Sequence, residues 1–316
     1  MPAINPKVHS VSAFAPATSA NLAVGFDILG LAFGAIGDRV TLKIRDDHQF
    51  VIEAIQAQEQ LPFENDKNTA AVAVQALCQD LSLDCGFSIE IQKGIPLSSG
   101  LGGSAASAVA ALTACNAFLD ETLPPEELIP YALQGEQTAS GQKHGDNIVP
   151  CIFGGLTLIK NLDPIEIVQL PLPDIHCVLL HPHLQVSTRQ ARKMLKKELP
   201  LADYIKQSAH LAGFIASLYQ NDLRLLQNSF KDFLIEPQRA ALVPGFQSAQ
   251  QAGLEAGALG VTLSGSGPTI LALAKSTLEA KSIAEAMQAA LKIENLATDY
   301  WLGPISKEGA RIIEVK

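Results

Sequence analysis

Apolar and polar positions alternate over residues 86–92, with Phe87, Ile89 and Ile91 on one face, and again over residues 40–45. That period of two predicts half-buried strands. Residues 68–81 carry apolar positions at helical spacing behind Asn68, a side chain suited to capping a helix. Residues 104–118 form a small-residue run so rich in alanine that the helix it predicts must pack tightly, in the middle of a layer. Pro124 and Pro125 interrupt the chain. A helix is expected over 126–140 and a strand over 152–159.

The second half has a different texture. A short apolar run, 175–180, reads as a buried strand ending at His181-Pro182-His183. Helices are expected over 188–198, 204–219, 223–233 and 246–256. Two strands, 261–263 and 269–274, flank the turn Ser264-Gly265-Ser266-Gly267-Pro268, which predicts a hairpin. A helix over 278–291 and short strands over 300–302 and 311–315 close the chain. Pro171 and Pro173 mark a domain change near 170–174, giving expected domains 1–170 and 171–316. Strands and helices mix without strict βαβ alternation, so the fold class expected is α+β.

Composition narrows the function classes. With 47% hydrophobic and 17% charged residues, the chain is globular, and 316 residues suit one large domain or two ordinary ones. A net charge of −9 argues against nucleic acid or an anionic membrane surface as partner. No run of 18 apolar residues predicts a membrane span, and the first 20 residues lack a secretory signal. The five cysteines are scattered and form no C-x-x-C pair, as expected of reduced core residues in a cytoplasmic protein.

The segment 94–114, GIPLSSGLGGSAASAVAALTA, carries the chemistry. Gly100, Gly102 and Gly103 let backbone N–H groups converge on one point, and the helix entered at Ser104 adds its free N–H groups and dipole. The result is a socket for phosphates. It is not a Walker loop, because no lysine precedes Ser104, nor a dinucleotide fingerprint, because Ala105 stands where a third glycine is needed. No Gly-x-Ser-x-Gly elbow occurs. A glycine turn that only lets a helix pack closely on a strand is the plain alternative. His181 and His183 share a strand face but have no third metal ligand nearby.

Three blocks coincide: residues 15–27, containing Asn21 and the run Gly25-Phe26-Asp27; residues 96–107; and residues 261–269. In this order and spacing the chain resembles the GHMP small-molecule kinases. Four further segments, His144-Gly145-Asp146-Asn147, Ser187 to Arg192, Glu236-Pro237-Gln238-Arg239 and Pro244-Gly245-Phe246, resemble the branch of that superfamily acting on L-homoserine. The likeness spans the whole chain. One departure is visible: Gly103 stands where the family usually has the first of two serines.

The resemblance implies a two-domain fold, with an N-terminal part like ribosomal protein S5 domain 2 and a ferredoxin-like C-terminal part. It implies ATP and Mg²⁺ as cofactors, and an amino-acid acceptor phosphorylated on its hydroxyl to give O-phospho-L-homoserine for threonine synthesis. A homodimer is compatible with it. The nucleotide phosphates are assigned to Pro96, Leu97, Ser98, Ser99, Gly100, Leu101, Gly102, Gly103, Ser104, Ala105 and Ala106. Ser104 and Glu136 are carried over as metal ligands, and with Asn147 as catalytic residues. Arg192 and Arg239 match the acceptor carboxylate, since a guanidinium fork fits two oxygens, and Asp27, with Asn21 beside it, matches the ammonium. Thr188 hydrogen-bonds the carboxylate or caps a helix. Asn147 orients the hydroxyl, His144 lines the same pocket, and Gly265 belongs to a second glycine turn folding back toward the phosphate loop. No side chain is assigned as general base. Two rivals stay open: another GHMP kinase, mevalonate- or shikimate-like, and a catalytically silent nucleotide or metabolite sensor.

Overall fold

A computed structural model describes residues 2–316. The first half runs β1 (Ser10–Ala20), β2 (Leu29–Arg45), β3 (Val51–Gln56), α1 (Thr69–Asp80), β4 (Gly86–Gln92), α2 (Gly103–Asn116), α3 (Ile129–Ser140), α4 (Ile148–Phe153), β5 (Leu156–Leu162) and β6 (Ile165–Leu170). The second half runs β7 (His176–Pro182), α5 (Thr188–Lys193), α6 (Leu201–Gln220), α7 (Leu223–Ser229), α8 (Glu236–Arg239), α9 (Phe246–Glu255), β8 (Gly260–Leu263), β9 (Ile270–Ala274), α10 (Thr277–Ile293), β10 (Thr298–Pro304) and β11 (Arg311–Val315).

Two sheets organise these elements. The first has the order β11-β1-β2-β4-β3, with β5 pairing β2 and β6 pairing β5. The second is antiparallel, in the order β10-β7-β9-β8. Its strands and the helices α9 and α10 follow one another as strand, helix, two strands, helix, strand, the ferredoxin-like arrangement, with α5 to α8 inserted after β7. The fold is thus α+β and in two parts, as the sequence motifs imply. The last strand, β11, leaves the second half and pairs with β1 of the first sheet.

The central helix is α2. Its alanines at 105, 106, 108, 110, 111 and 114 are all fully buried, and it packs against α1, α3, α4, β1 and β2. Small side chains let these neighbours approach closely, so the whole circumference of α2 is covered. That burial fixes the position of its N-terminus, where the glycine loop lies.

Several local expectations change. The apolar run 148–153 is the helix α4; positive φ at Gly154 and Gly155 ends it, and the strand begins only at Leu156. A short apolar run has no period that separates helix from strand. Residues 125–128 form a 3₁₀ turn ahead of α3, α5 stops at Lys193 rather than running to 198, and α7 stops at Ser229. Strands β1, β3, β6 and residues 29–39 of β2 were not anticipated from the pattern. In β1 only Ser10 and Phe14 are even partly exposed, so polar residues do not alternate there to announce a strand. The expected hairpin is β8–β9, paired antiparallel. All five cysteines are free and buried, and no helix among the described residues is long and apolar enough to cross a membrane.

Candidate active site

The glycine loop is built by contacts that only glycine tolerates. Gly102, at φ +66°, caps α2; a Cβ there would sit 2.0 Å from Thr18 Oγ1 and 2.9 Å from Asn147 Oδ1. Gly100, at φ +80°, would put a Cβ 2.5 Å from the Ser264 carbonyl. Left-handed backbone and close approach both exclude a side chain. Thr18 donates to Asn147 Oδ1 at 2.7 Å, and its own N–H donates to the Leu101 carbonyl. β1, the loop and the start of α4 are therefore tied at one point.

The second glycine turn does fold back onto the first. Ser264 Oγ donates to the Gly100 carbonyl at 2.7 Å, and the Thr269 N–H to the Ser99 carbonyl at 3.1 Å. The Gly265 carbonyl accepts from Asn21 Nδ2 at 2.9 Å and from Arg239 Nη1 at 3.1 Å.

Behind the loop lies a buried ion pair that sequence reasoning missed. Lys93 and Asp38 are in contact, and Lys93 Nζ also donates to the Gly103 carbonyl at 2.8 Å. Asp38 accepts from the Gly94 and Ile95 N–H groups and from Ser107 Oγ. The pair fastens both ends of the loop to β2. Lys93 lies ten positions before α2 begins and Asp38 at the middle of a strand, so no spacing rule links them.

In front of the loop is a cleft of about 580 Å³. Ser104 donates to a carboxylate oxygen of Glu136, which projects from α3. On the opposite side Arg192 Nη2 contacts both Asp27 oxygens, at 2.5 and 2.6 Å. The Arg192 and Arg239 guanidinium groups each face the Phe26 ring, 5.1 and 5.0 Å from its centroid. Arg239 is 3% exposed. Its helix α8 is held by Glu236, which accepts from Thr262 Oγ1, the Leu263 N–H and Gln250, and by Asp232, which accepts from three N–H groups at its start. The turn 21–27 presents Asp27 at φ +64°, with its N–H donating to Asn21 Oδ1.

Most of the anticipated residues meet in this cleft: Asn21, Asp27, Glu136, His144, Asn147, Thr188, Arg192, Arg239 and Gly265 all line it, with Pro96 to Gly100 and Gly102 to Ser104. Leu101, Ala105 and Ala106 do not; their side chains point into the core, fully buried, and only their backbone faces the loop. Thr188 is the first helical residue and Ser187 the cap; Thr188 Oγ1 lies 3.3 Å from Ser266 Oγ. His144 is held below the usual histidine range, first by burial and then by the charge of Arg192. His181 pairs with Thr269 and His183 with Asp299; neither reaches the cleft.

Charge and hydrogen bonding show what the cleft is built to receive. Five cationic side chains line it (Lys67, Lys93, Arg189, Arg192, Arg239) against three carboxyls (Asp27, Glu136, Asp146), in a chain that is strongly acidic overall. It favours anions. Among the described residues, five buried side-chain polar atoms lack a hydrogen-bond partner; three of them, Ser99 Oγ, Asp146 Oδ1 and Arg192 Nε, belong to residues of this cleft. Buried polar groups are normally paired, so the three are exceptions grouped at one place in the fold.

No group of three or more His, Cys, Asp or Glu able to hold a metal occurs among the described residues. The Ser104–Glu136 oxygen pair still suits magnesium, which takes one or two protein oxygens and completes its shell with phosphates and water.

Comparison with known proteins gives the family of the chain. The family model described as GHMP kinases N terminal domain matches residues 68–155, and that described as GHMP kinases C terminal matches 214–293. A homoserine kinase from Xylella fastidiosa strain M12 is 45% identical over 309 residues, covering 98% of this chain and 95% of its own length. The chain belongs to the homoserine kinase family. A second homoserine kinase, from Chloroherpeton thalassium, is 40% identical over 97% of this chain and all of its own. The crystal structure of the homoserine kinase from Cytophaga hutchinsonii superposes with a TM-score of 0.94 at 38% identity, covering 98% of this chain and 99% of that one. Within a homoserine kinase fold, the glycine loop, Glu136 and the two arginines thus face a single cleft.

Proposed function

We infer that this protein transfers the γ-phosphoryl group of ATP to the side-chain hydroxyl of L-homoserine, giving O-phospho-L-homoserine, a step of threonine biosynthesis. The observation that carries this is the convergence, in one cleft, of a phosphate socket at the N-terminus of α2 with two arginines and Asp27.

Phosphoryl transfer asks for alignment and charge neutralisation more than covalent help from the protein. The backbone N–H groups of residues 100–106 hold the phosphate tail, with Ser98, Ser99 and Ser104 adding hydroxyls. Residues 61–69 beside the cleft, including Leu61, Pro62 and Asn68, receive the adenine. Ser104 and Glu136 would hold Mg²⁺, which neutralises charge on the β- and γ-phosphates. Arg239 and Arg192 take the acceptor carboxylate, with Thr188 beside them, while Asp27 and Asn21 face its ammonium end. Asn147, anchored by Thr18, orients the hydroxyl. The hydroxyl oxygen attacks the γ-phosphorus, the bond to the β-bridging oxygen breaks, ADP leaves, and the hydroxyl proton passes to the transferred phosphoryl group. His144 shapes the pocket.

We assign the nucleotide half to residues 1–170 and the other half to 171–316, with β11 returned to the first sheet. The free, buried cysteines support a cytoplasmic location. The test is ADP formation with homoserine, mevalonate, shikimate and galactose as acceptors. Turnover with homoserine well above the others is expected; no homoserine preference overturns the reading. A catalytically silent sensor would form no ADP with any of these acceptors.

A further inference from the structure

Asp146 lines the cleft between His144 and Asn147, yet none of the roles above uses it. It is 4% exposed, and its Oδ1 is shut off from solvent with no hydrogen-bond partner among the described residues. Leaving a buried acceptor unpaired is unfavourable, so Oδ1 has capacity for a donor that the described residues do not supply.

The charges around Asp146 come from four elements and its own loop. Asp27 faces it from the turn after β1, Glu136 from α3, Arg192 from α5 and Arg239 from α8, with His144 two positions before it. Burial, and then the charges of Asp27 and Glu136, push its carboxyl up to about 7, against the opposite pull of Arg192. The other two carboxyls of the cleft are engaged: Glu136 with Ser104, and Asp27 through both oxygens with Arg192. Asp146 keeps only its own backbone N–H and the more distant charge of Arg192, and its Oδ1 has no hydrogen-bond partner among the described residues.

A zwitterionic acceptor brings a group of the needed kind. Its carboxylate goes to the arginines, and the ammonium then requires a carboxylate whose charge is not already balanced. We propose that Asp146 is the carboxylate that meets the α-ammonium of the amino-acid acceptor, beside Asp27. This rests on the amino-acid kinase reading above. It makes Asp146 the residue by which the site distinguishes an amino acid from a hydroxy acid of the same length. It also couples binding to protonation. An arriving cation favours the ionised carboxyl, so acceptor binding below about pH 7 releases a proton from Asp146, and the acceptor binds more tightly as pH rises through that range.

The test compares wild type and Asp146→Asn with two acceptors, homoserine and 4-hydroxybutanoate, which lacks only the ammonium. In wild type, homoserine should be preferred by about a hundredfold or more in kcat/KM. In Asp146→Asn that preference should shrink at least about tenfold, through a higher KM for homoserine, with KM for ATP shifted less than about threefold. An unchanged preference, or a loss confined to kcat, overturns the proposal. If the variant does not melt cooperatively, titration calorimetry of wild type with homoserine and a non-hydrolysable ATP analogue, in two buffers of different ionisation enthalpy, decides. Net proton release near pH 6.5 that disappears near pH 8.5 supports the proposal; no difference between the two overturns it. Should wild type prefer a non-amino-acid acceptor, the homoserine reading falls with it. If wild type uses homoserine and the variant is indifferent, only the role of Asp146 falls.

Discussion

Arg192 places one nitrogen, Nη2, within 2.5 Å of Asp27 Oδ1 and 2.6 Å of Oδ2, and so ties α5 in the second half of the chain to the turn after β1 in the first. The contact leaves Arg192 Nε buried and without a partner among the described residues. Arg239 faces the Phe26 ring as Arg192 does, so the two guanidinium groups hold fixed places before any acceptor arrives. Preorganised donors lose little freedom when a carboxylate binds.

Arg239→Leu should raise KM for homoserine far more than KM for ATP. Removing one partner of a desolvated charge contact costs roughly 2–5 kcal/mol, so the rise should be about thirtyfold or greater. Steady-state kinetics varying each substrate in turn checks this. Equal effects on both KM values would remove Arg239 from the acceptor pocket.

Gly102→Ala should cripple the phosphate loop. The added carbon would meet Thr18 Oγ1 at 2.0 Å at a backbone φ of +66°, and Thr18 is also the anchor of Asn147. A fall in kcat/KM for ATP of about a hundredfold is expected, since a displacement of about an ångström at a reacting centre has that effect. Thr18→Ala combined with Gly102→Ala should recover part of the loss, because it removes the clashing oxygen. No recovery would show that the backbone conformation, not the contact, decides.

Glu136→Ala should lower kcat steeply and raise the Mg²⁺ concentration needed for half-maximal rate by about tenfold or more, since a carboxylate is the stronger of the two oxygen ligands offered. Magnesium titration of ADP formation in both proteins gives the comparison. A variant with wild-type magnesium dependence would discredit the Ser104–Glu136 site.

Lys93→Met should destabilise the fold strongly, by about 3–5 kcal/mol, because it leaves the carboxylate of Asp38, fully buried, without its cation. Adding Asp38→Asn removes the stranded charge and should restore part of the stability. Denaturant unfolding of the single and double variants measures the difference. Additive losses would mean that the pair is not a unit.

Asp146 also governs stability against pH. Its folded value, about 7, lies above the ordinary aspartate value of 3.8. A carboxyl raised in the folded state contributes stability below the unfolded value and loses it as pH rises toward the folded one, here between about 4 and 7. Asp146→Asn should therefore melt higher than wild type at pH 8, by roughly 5 °C, and show a smaller advantage at pH 5. A larger advantage at pH 5 would contradict the sign.

Some features were legible because their signal is local. The glycine loop could be read from three glycines ahead of a small-residue helix, since the need for converging N–H groups selects the residue type directly. The hairpin β8–β9 and the cap at Asn68, which accepts from the Ala70 N–H at 3.1 Å, follow the same rule. Glu136, Arg192 and Arg239 had no such signal; motif resemblance singled them out, because an isolated carboxylate or guanidinium looks like any surface charge until its surroundings are known. Lys93 and Asp38 escaped notice for the same reason, while Phe26 and Asp146 stood inside recognised motifs without a role assigned to them. The strand β1 escaped notice because its burial on both faces erases the alternation that reveals strands.

Composition and local pattern along this chain determined the α+β class and the glycine loop at the start of α2, because each depends on residue types within a few positions of one another. Tertiary structure alone decided that β11 returns to β1, that a lysine behind the loop is paired to the middle of β2, that Arg192 meets Asp27, and that Asp146 Oδ1 has no hydrogen-bond partner among the described residues. Each of these is a relation between residues tens to hundreds of positions apart, and only burial in a common core sets their charges and distances against one another.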